Sequence, residues 1–379
     1  MNILPCIMSA AVNVKKEVAM SSGLDDVIAA DTRLSDVDGA AGRLVIRGHS
    51  LADLAGRWSC ERVIALLFAD FFDDLPGEAA LRARLGEARR DVQARLSGLL
   101  PELASHGACD GLRAGIALLP DGHGLDDALR LVAAPAVLIP AILRLRAGER
   151  PLAPDASLPH AADMLRMLSG EISVAKASAL ETYLAVVCDH GLNASTFATR
   201  VVASTGAGLT SSVLAGLGAL KGPLHGGAPG PVIEMLDAIA DHGDARAWLG
   251  DLVRSGERIM GFGHRIYRVR DPRADALKAA VRRLAGNGDN ARLRFAELVE
   301  ASALSVLREL KPHRPLQTNV EFYTSLLLEA VGFPPDAFTG VFAAGRMTGW
   351  LAHAREQALT GRLIRPKSRY VGPDVDMAA

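Results

Sequence analysis

The chain has 379 residues, 49% hydrophobic and 22% charged, enough for one large core or two unequal domains of ordinary globular composition. A net charge of −1 without a basic stripe argues against nucleic-acid binding. Four scattered cysteines (Cys6, Cys60, Cys109, Cys188) with no C-x-x-C argue against a disulfide framework or a zinc site, and fit a reducing cytoplasm.

Aromatics make up only 4% while Ala and Leu dominate, which favours helix over sheet. Residues 1–22 lack a charged leader ahead of an apolar stretch. They read as a disordered tail, or as sequence ahead of a start at Met8 or Met20, rather than as a signal peptide. In Gly23–Arg47 the apolar run Leu44–Ile46 predicts a short strand or extended arm, with turns at Asp38-Gly39 and Gly42. Ser59 reads as an N-cap with Arg62 at N3. Pro76-Gly77-Glu78 opens a long charged helix to about Leu99, and Pro101 opens a short one.

Leu125–Leu145 is apolar nearly all round, the signature of a buried helix, and Pro135 and Pro140 predict kinks in it. Its apolar run Leu131–Leu143 is shorter than the roughly 20 residues of a membrane span. The Pro-rich, polar Ala147–Leu158 is a loop. Ile172–Asp189 is helical and ends at His190-Gly191, after which Asn193 or Ser195 caps the next helix. Gly206 and Gly208 break that helix ahead of Ser211–Leu220. Further helices are predicted at about 231–242, 244–256, 271–284, 288–310, 319–331 and 339–358. The fold class is all-α with little sheet, and no internal repeat appears.

Five stretches carry chemistry. In Ala219–Pro231, A-L-K-G-P-L-H-G-G-A-P-G-P, glycines and prolines fix the backbone around His225, which serves either a tight inter-helical loop or a ring aimed into a cleft. Arg258–Ala274, R-I-M-G-F-G-H-R-I-Y-R-V-R-D-P-R-A, puts Gly261 and Gly263 on either side of Phe262, then His264, then Arg265, Arg268, Arg270 and Arg273. Guanidinium forks match phosphate and carboxylate oxygens, so this is an anion site or a solvated basic loop. In Thr318–Tyr323, Asn319 is an N-cap that puts Glu321 at N2, as a general base or as a complement to the helix dipole. Phe342, Arg346, Trp350 and His353 share one helix face beside Ala343, Ala344, Gly345 and Gly349. An Arg on such a face finds either a ligand anion or a core acid. The tail G-R-L-I-R-P-K-S-R-Y-V-G-P is an extended basic arm, solvated or reaching into a neighbouring subunit.

In order along the chain, D-H-G-L-N-A-S-T-F, G-A-L-K-G-P-L-H-G-G-A, G-F-G-H-R-I-Y-R-V-R-D-P-R, N-V-E-F-Y and R-P-K-S-R-Y-V-G resemble citrate synthase, and the match runs from Gly23 to Pro373. The resemblance implies an all-α homodimer of two-domain subunits, with a large domain at 23–226 and 333–379 and a small domain at 227–332 closing over a cleft. It implies that His225 hydrogen-bonds the acyl-CoA thioester oxygen, that His264 polarises the oxaloacetate carbonyl, and that His190 also binds oxaloacetate. Arg273, Arg346 and Arg365 match the carboxylate-binding arginines, Arg365 being donated across the dimer. Gly261, Phe262, Gly263 and Arg268 match part of the coenzyme A site, with Lys311, Arg314, Arg362 and Lys367 as looser candidates. No metal and no tightly bound cofactor is implied, acetyl-CoA being a co-substrate. No long extra N-terminal domain of the kind that resembles the NADH-regulated hexamers is expected, so the expectation is a dimer.

Glu321 departs from the pattern, since most of the family carries Asp there as the base, and Glu resembles a minority subset. One methylene adds ~1.5 Å, and a 1 Å misplacement can cost on the order of 10² in rate. Either the backbone is retracted to compensate, or turnover is slow, or the acyl group sits differently; the expectation is a compensated, active enzyme. The implied reaction is acetyl-CoA plus oxaloacetate plus water to citrate plus CoA. The alternatives are 2-methylcitrate synthase, using propionyl-CoA, and a non-catalytic homologue that binds CoA or oxaloacetate.

Overall fold

A computed structural model describes residues 24, 27–226, 229–286 and 290–372. The expected tail, 1–22, and the first residue of the expected small domain, Gly227, lie outside them. Two units divide at Asp31/Thr32. In the first, the described residues form no regular element. The second carries three strands and sixteen α-helices among the described residues.

The expected single strand is the middle of a three-stranded antiparallel sheet. Strand β1, Ser35–Asp38, pairs with β2, Arg43–Ile46, and β2 pairs with β3, His49–Ser50. A lone strand would leave its backbone groups unpaired, which is why the run Leu44–Ile46 recruits both neighbours. The turn between β1 and β2 packs on the arginine-rich loop: Gly39 O accepts from Arg268 N at 2.9 Å, and a Cβ at position 39 would strike Ile266 O.

Caps set most helix starts. Ser59 accepts from Arg62 N, and Asn193 accepts from Thr196 N, so Asn193 rather than Ser195 is the cap. Three short helices were not anticipated: Leu51–Leu54, Ala108–Ala117 and His160–Ser169. The first has a legible capping box, Ser50 with Asp53; the other two start at Gly107 and Pro159 without a side-chain cap.

Helix Leu125–Arg146 lies at the centre, flanked by Glu78–Leu96, Leu100–Ser105, Ala108–Ala117, His160–Ser169 and Phe338–Thr360. It is long and apolar enough to cross a bilayer, but 78% of its apolar window is buried among these neighbours. Pro135 and Pro140 lie inside one continuous helix. The surrounding packing offsets the lost hydrogen bonds. A second group comprises Pro229–His242, Ala245–Arg254, Pro272–Ala285, Ala291–Leu310 and Val320–Val331, which pack on one another. Helix Val174–Val187 joins the groups, touching Pro272–Ala285 and Val320–Val331 on one side and Phe338–Thr360 on the other. Gly345 and Gly349 let that last helix close in, since a Cβ there would strike Val187 or Cys188 O.

Candidate active site

The turn before His264 is stitched to the start of helix Val320–Val331. Phe262 pairs with Thr318 in an antiparallel bridge, Gly263 N donates to Gln317 O at 2.7 Å, and Asn319 N donates to Gly261 O at 3.0 Å. Gly261 takes φ +81° against Phe322, where any side chain would collide. The chain then wraps around the imidazole. Ile266 N and Tyr267 N both donate to His264 Nδ1, at 3.0 and 3.1 Å. A ring nitrogen that takes two backbone donors is the unprotonated one, so the neutral ring carries its hydrogen on Nε2. Burial, with Arg273 beside it, holds His264 down at about 4. Arg273 Nη2 stands 3.3 Å from Nε2. Two donors side by side there call for an acceptor from a ligand.

Asp271 organises the next layer. It accepts from Arg273 N and Nε at 3.0 Å, from Arg273 Nη2 at 2.8 Å and from Val320 N at 3.2 Å. One buried carboxylate thus caps its own helix, fixes Arg273 and seats the first residue of the helix that carries Glu321. Asn319 accepts from Glu321 N, as the N-cap reading expected, and its Nδ2 donates to Glu321 Oε2 at 3.3 Å. Glu321 keeps intermediate exposure. Burial lifts its carboxyl to about 7, against the pull of Asn319, Arg273 and Arg258. A helix-dipole complement would be lowered, so dipole pairing does not describe this group. Among the described residues it has no ion-pair partner.

His190 meets Tyr267 through Nε2 and the phenol oxygen at 3.2 Å, and its ring lies 5.4 Å from that of His264. Burial holds it well below the usual imidazole range, Arg273 adding to the effect. Behind it a buried relay runs from Asp189 through His353, 3.1 Å away, to Arg200 and then Glu356.

His225 is anchored by a separate set of residues. Its Nε2 lies 2.8 Å from Ser195 Oγ, which donates to Asn193 Oδ1 at 2.7 Å and accepts from Trp350 Nε1 at 3.2 Å. Burial, with Arg346 adding to it, brings His225 to about 4. Arg346 is buried and gives Nε to Val187 O at 2.6 Å. Its Nη2 meets no protein acceptor, and no acid lies within ion-pair distance among the described residues. Burial brings it down to about 10; Asp189 opposes that, and Arg273 adds repulsion. Of the two readings open for this arginine, a core salt bridge is thereby removed.

The arginine-rich loop divides instead of acting as one anion site. Arg270 is committed to Asp275, Glu300 and Thr318, and Arg273 to Asp271, while Arg265 and Arg268 stand at the surface. Phe262 is buried against Phe322, with Gly261 buried and Gly263 half-buried beside it. Lys311, Arg314, Arg362, Arg365 and Lys367 are exposed. Sequence reasoning missed Ser195, Tyr267 and Asp271 as partners of the site. Only Tyr267, an aromatic three residues after His264 in a basic loop, carried a signal.

The model of the family "Citrate synthase, C-terminal domain" matches residues 23–367. A putative citrate synthase 2 from Mycobacterium tuberculosis is 37% identical over 363 residues, covering 93% of this chain and 92% of its own. A 2-methylcitrate synthase from the same organism is 36% identical over 374 residues, with 96% and 93% covered. Among solved structures, the Thermoplasma acidophilum citrate synthase, in a ternary complex with carboxymethyl coenzyme A and oxaloacetate, superposes with a TM-score of 0.81 at 27% identity, covering 93% of this chain and 96% of that one. With its motifs in order, a match along nearly its whole length and a shared all-α fold, the chain belongs to the citrate synthase family of enzymes.

Proposed function

We propose that the enzyme condenses acetyl-CoA with oxaloacetate and water to give citrate and CoA. The observation that carries the reading is Glu321, a carboxyl poised at about 7 and without an ion-pair partner among the described residues, set in one neighbourhood with a neutral His264 and the buried Arg273. A base tuned to the working pH suits proton abstraction from a weak carbon acid.

Glu321 takes the α-proton of the acyl group as His225 donates to the developing enolate oxygen. In the resting network Ser195 donates to Asn193, so His225 gives Nε2–H to Ser195. A solvent-mediated change of tautomer takes the proton from Nε2 and puts one on Nδ1; the Ser195 hydroxyl then turns to donate to Nε2, and Nδ1–H is available to the thioester. His264 Nε2–H polarises the 2-oxo carbonyl, and the enol carbon attacks it. Water then cleaves the thioester, which drives the reaction forward. His190, Arg273, Arg346 and the partner-donated Arg365 grip oxaloacetate. The turn Gly261–Gly263, Arg268, Lys311, Arg314, Arg362 and Lys367 serve coenzyme A. This reading includes a cytoplasmic homodimer, with 227–332 closing over the cleft and excluding water.

Near-equal identity to a 2-methylcitrate synthase supports propionyl-CoA as the second reading. Initial rates of CoA-thiol release with acetyl-CoA and propionyl-CoA, on wild type and Glu321→Asp, decide between them. Tight binding of both substrates with no thiol release from either would leave a binding homologue instead.

A further inference from the structure

Among the buried polar groups that the mechanism leaves unused, one lies beside Arg346. Tyr183 lies on helix Val174–Val187, fully buried, and its hydroxyl meets no partner among the described residues. It sits one turn before Val187, whose carbonyl accepts Arg346 Nε. Arg346 Nη2, on the facing helix, is likewise buried without an acceptor among the described residues. Two polar atoms left unmet on one helix–helix seam are uncommon, because a phenylalanine at 183 would fill the same space without the desolvation cost. Burial pushes the Tyr183 hydroxyl up, and it stays within electrostatic reach of Arg346 and Arg273. It is therefore a neutral donor, suited to an anion and unable to repel one.

We infer that the Tyr183 hydroxyl is a further substrate ligand, donating to the carboxylate of the 2-oxo dicarboxylate that Arg346 and Arg273 hold. The inference rests on the oxaloacetate reading above and adds a specificity-determining residue to it. A monocarboxylic 2-oxo acid leaves this subsite unpaired and so binds poorly.

The test is Tyr183→Phe, with two binding readouts. In thermal melts the ligand-free variant keeps or exceeds the wild-type Tm, while the upward shift caused by oxaloacetate shrinks. In kinetics KM for oxaloacetate rises about tenfold, in line with one lost hydrogen bond to a charged group, and KM for acyl-CoA stays put. An unchanged oxaloacetate KM and melting shift would show that the hydroxyl serves only water, overturning the inference with the functional reading intact. A rise in both KM values with a lowered Tm would make the hydroxyl structural and overturn it equally. Wild type with neither a melting shift nor turnover with oxaloacetate would sink the functional reading itself, and Tyr183's role with it.

Discussion

Asn319 Nδ2 donates to Gly263 O at 2.9 Å and to Glu321 Oε2 at 3.3 Å, so one amide joins the turn ahead of His264 to the proposed base. Its Oδ1 meanwhile caps the helix through Glu321 N. Carboxylate and imidazole are thereby referenced to the same side chain, although 57 positions separate Glu321 from His264.

Replacing Asn319 by Ala should act on stability and titration together. Loss of the cap costs about 0.5–2 kcal/mol, read from urea melts. Loss of the Nδ2 hydrogen bond removes the leading influence that opposes burial at Glu321, so the acid limb of kcat/KM should move above its wild-type position. A limb that stays fixed while stability drops would confine Asn319 to capping.

Wild-type kcat/KM should rise tenfold per pH unit below about 7 and level off above, since the carboxylate form is the base. His225 and His264, held at about 4, stay neutral over that range. The same shift sets stability. Folding favours protonated Glu321, so its contribution is complete below the ordinary carboxyl range near 4.5 and is lost as pH rises through about 7. Glu321→Gln should therefore match wild type at pH 4 and exceed it by about 2–3 kcal/mol at pH 8, while losing turnover. Equal stability at both pH values would mean that the carboxyl titrates normally.

The sequence showed more of the helices than of the contacts between them. Asn319 announces its helix because capping is local, and from the sequence alone it puts Glu321 at N2, where the structure has it. Periodicity likewise marked Leu125–Arg146 as buried. What stayed hidden depends on segments distant in the chain. Asp271 reads as an ordinary cap before Pro272, yet it also reaches Val320 across 49 positions. Ser195 reads as a cap candidate, but its work is on His225, 30 residues on. Gly39 looks like a turn residue, and only the packed structure shows that it makes room for Ile266. The family motifs contain the orienting side chains Ser195, Tyr267, Asp271 and Asn319 as well as the residues they orient, but which side chain each one touches is set only by the packed structure.

Asp271→Asn should be among the most damaging single changes. It leaves the buried Arg273 guanidinium uncompensated and weakens the seat of Val320. Breaking a buried pair costs about 3–5 kcal/mol. Equilibrium unfolding should show that loss, with a raised KM for oxaloacetate in whatever protein folds. A loss under 1 kcal/mol would mean that the pair is hydrated and less critical than its burial implies.

Glu300 governs acid resistance in the second helix group. Burial works against its ionisation, yet hydrogen bonds from Tyr323, Thr318, Lys278 and Arg270 bring it down to about 2. A depressed carboxyl adds stability that is present above about 4.5 and lost as pH falls toward about 2. Glu300→Gln should cost roughly 3 kcal/mol at pH 7, and the gap to wild type should close below pH 3. A pH-independent gap would assign the cost to packing rather than charge.

Arg346→Met should move binding and stability in opposite directions. In the free protein the guanidinium is buried with Nη2 unmet, and Arg273 repels it. Methionine fills similar space without that cost, so the free variant should melt at or above the wild-type temperature. Affinity for oxaloacetate should fall by on the order of 10², since a charge-assisted contact in a buried site is lost. Arg346→Lys should restore little, because a single ammonium cannot both hold Val187 O and present a second donor in the fixed geometry of the fork. Calorimetric titration with oxaloacetate, set beside ligand-free melts of the three proteins, separates the two effects. If Arg346→Met is instead markedly destabilised and still binds oxaloacetate at wild-type strength, the arginine is a structural element of the helix seam, and the dicarboxylate is held by Arg273 and the histidines without it.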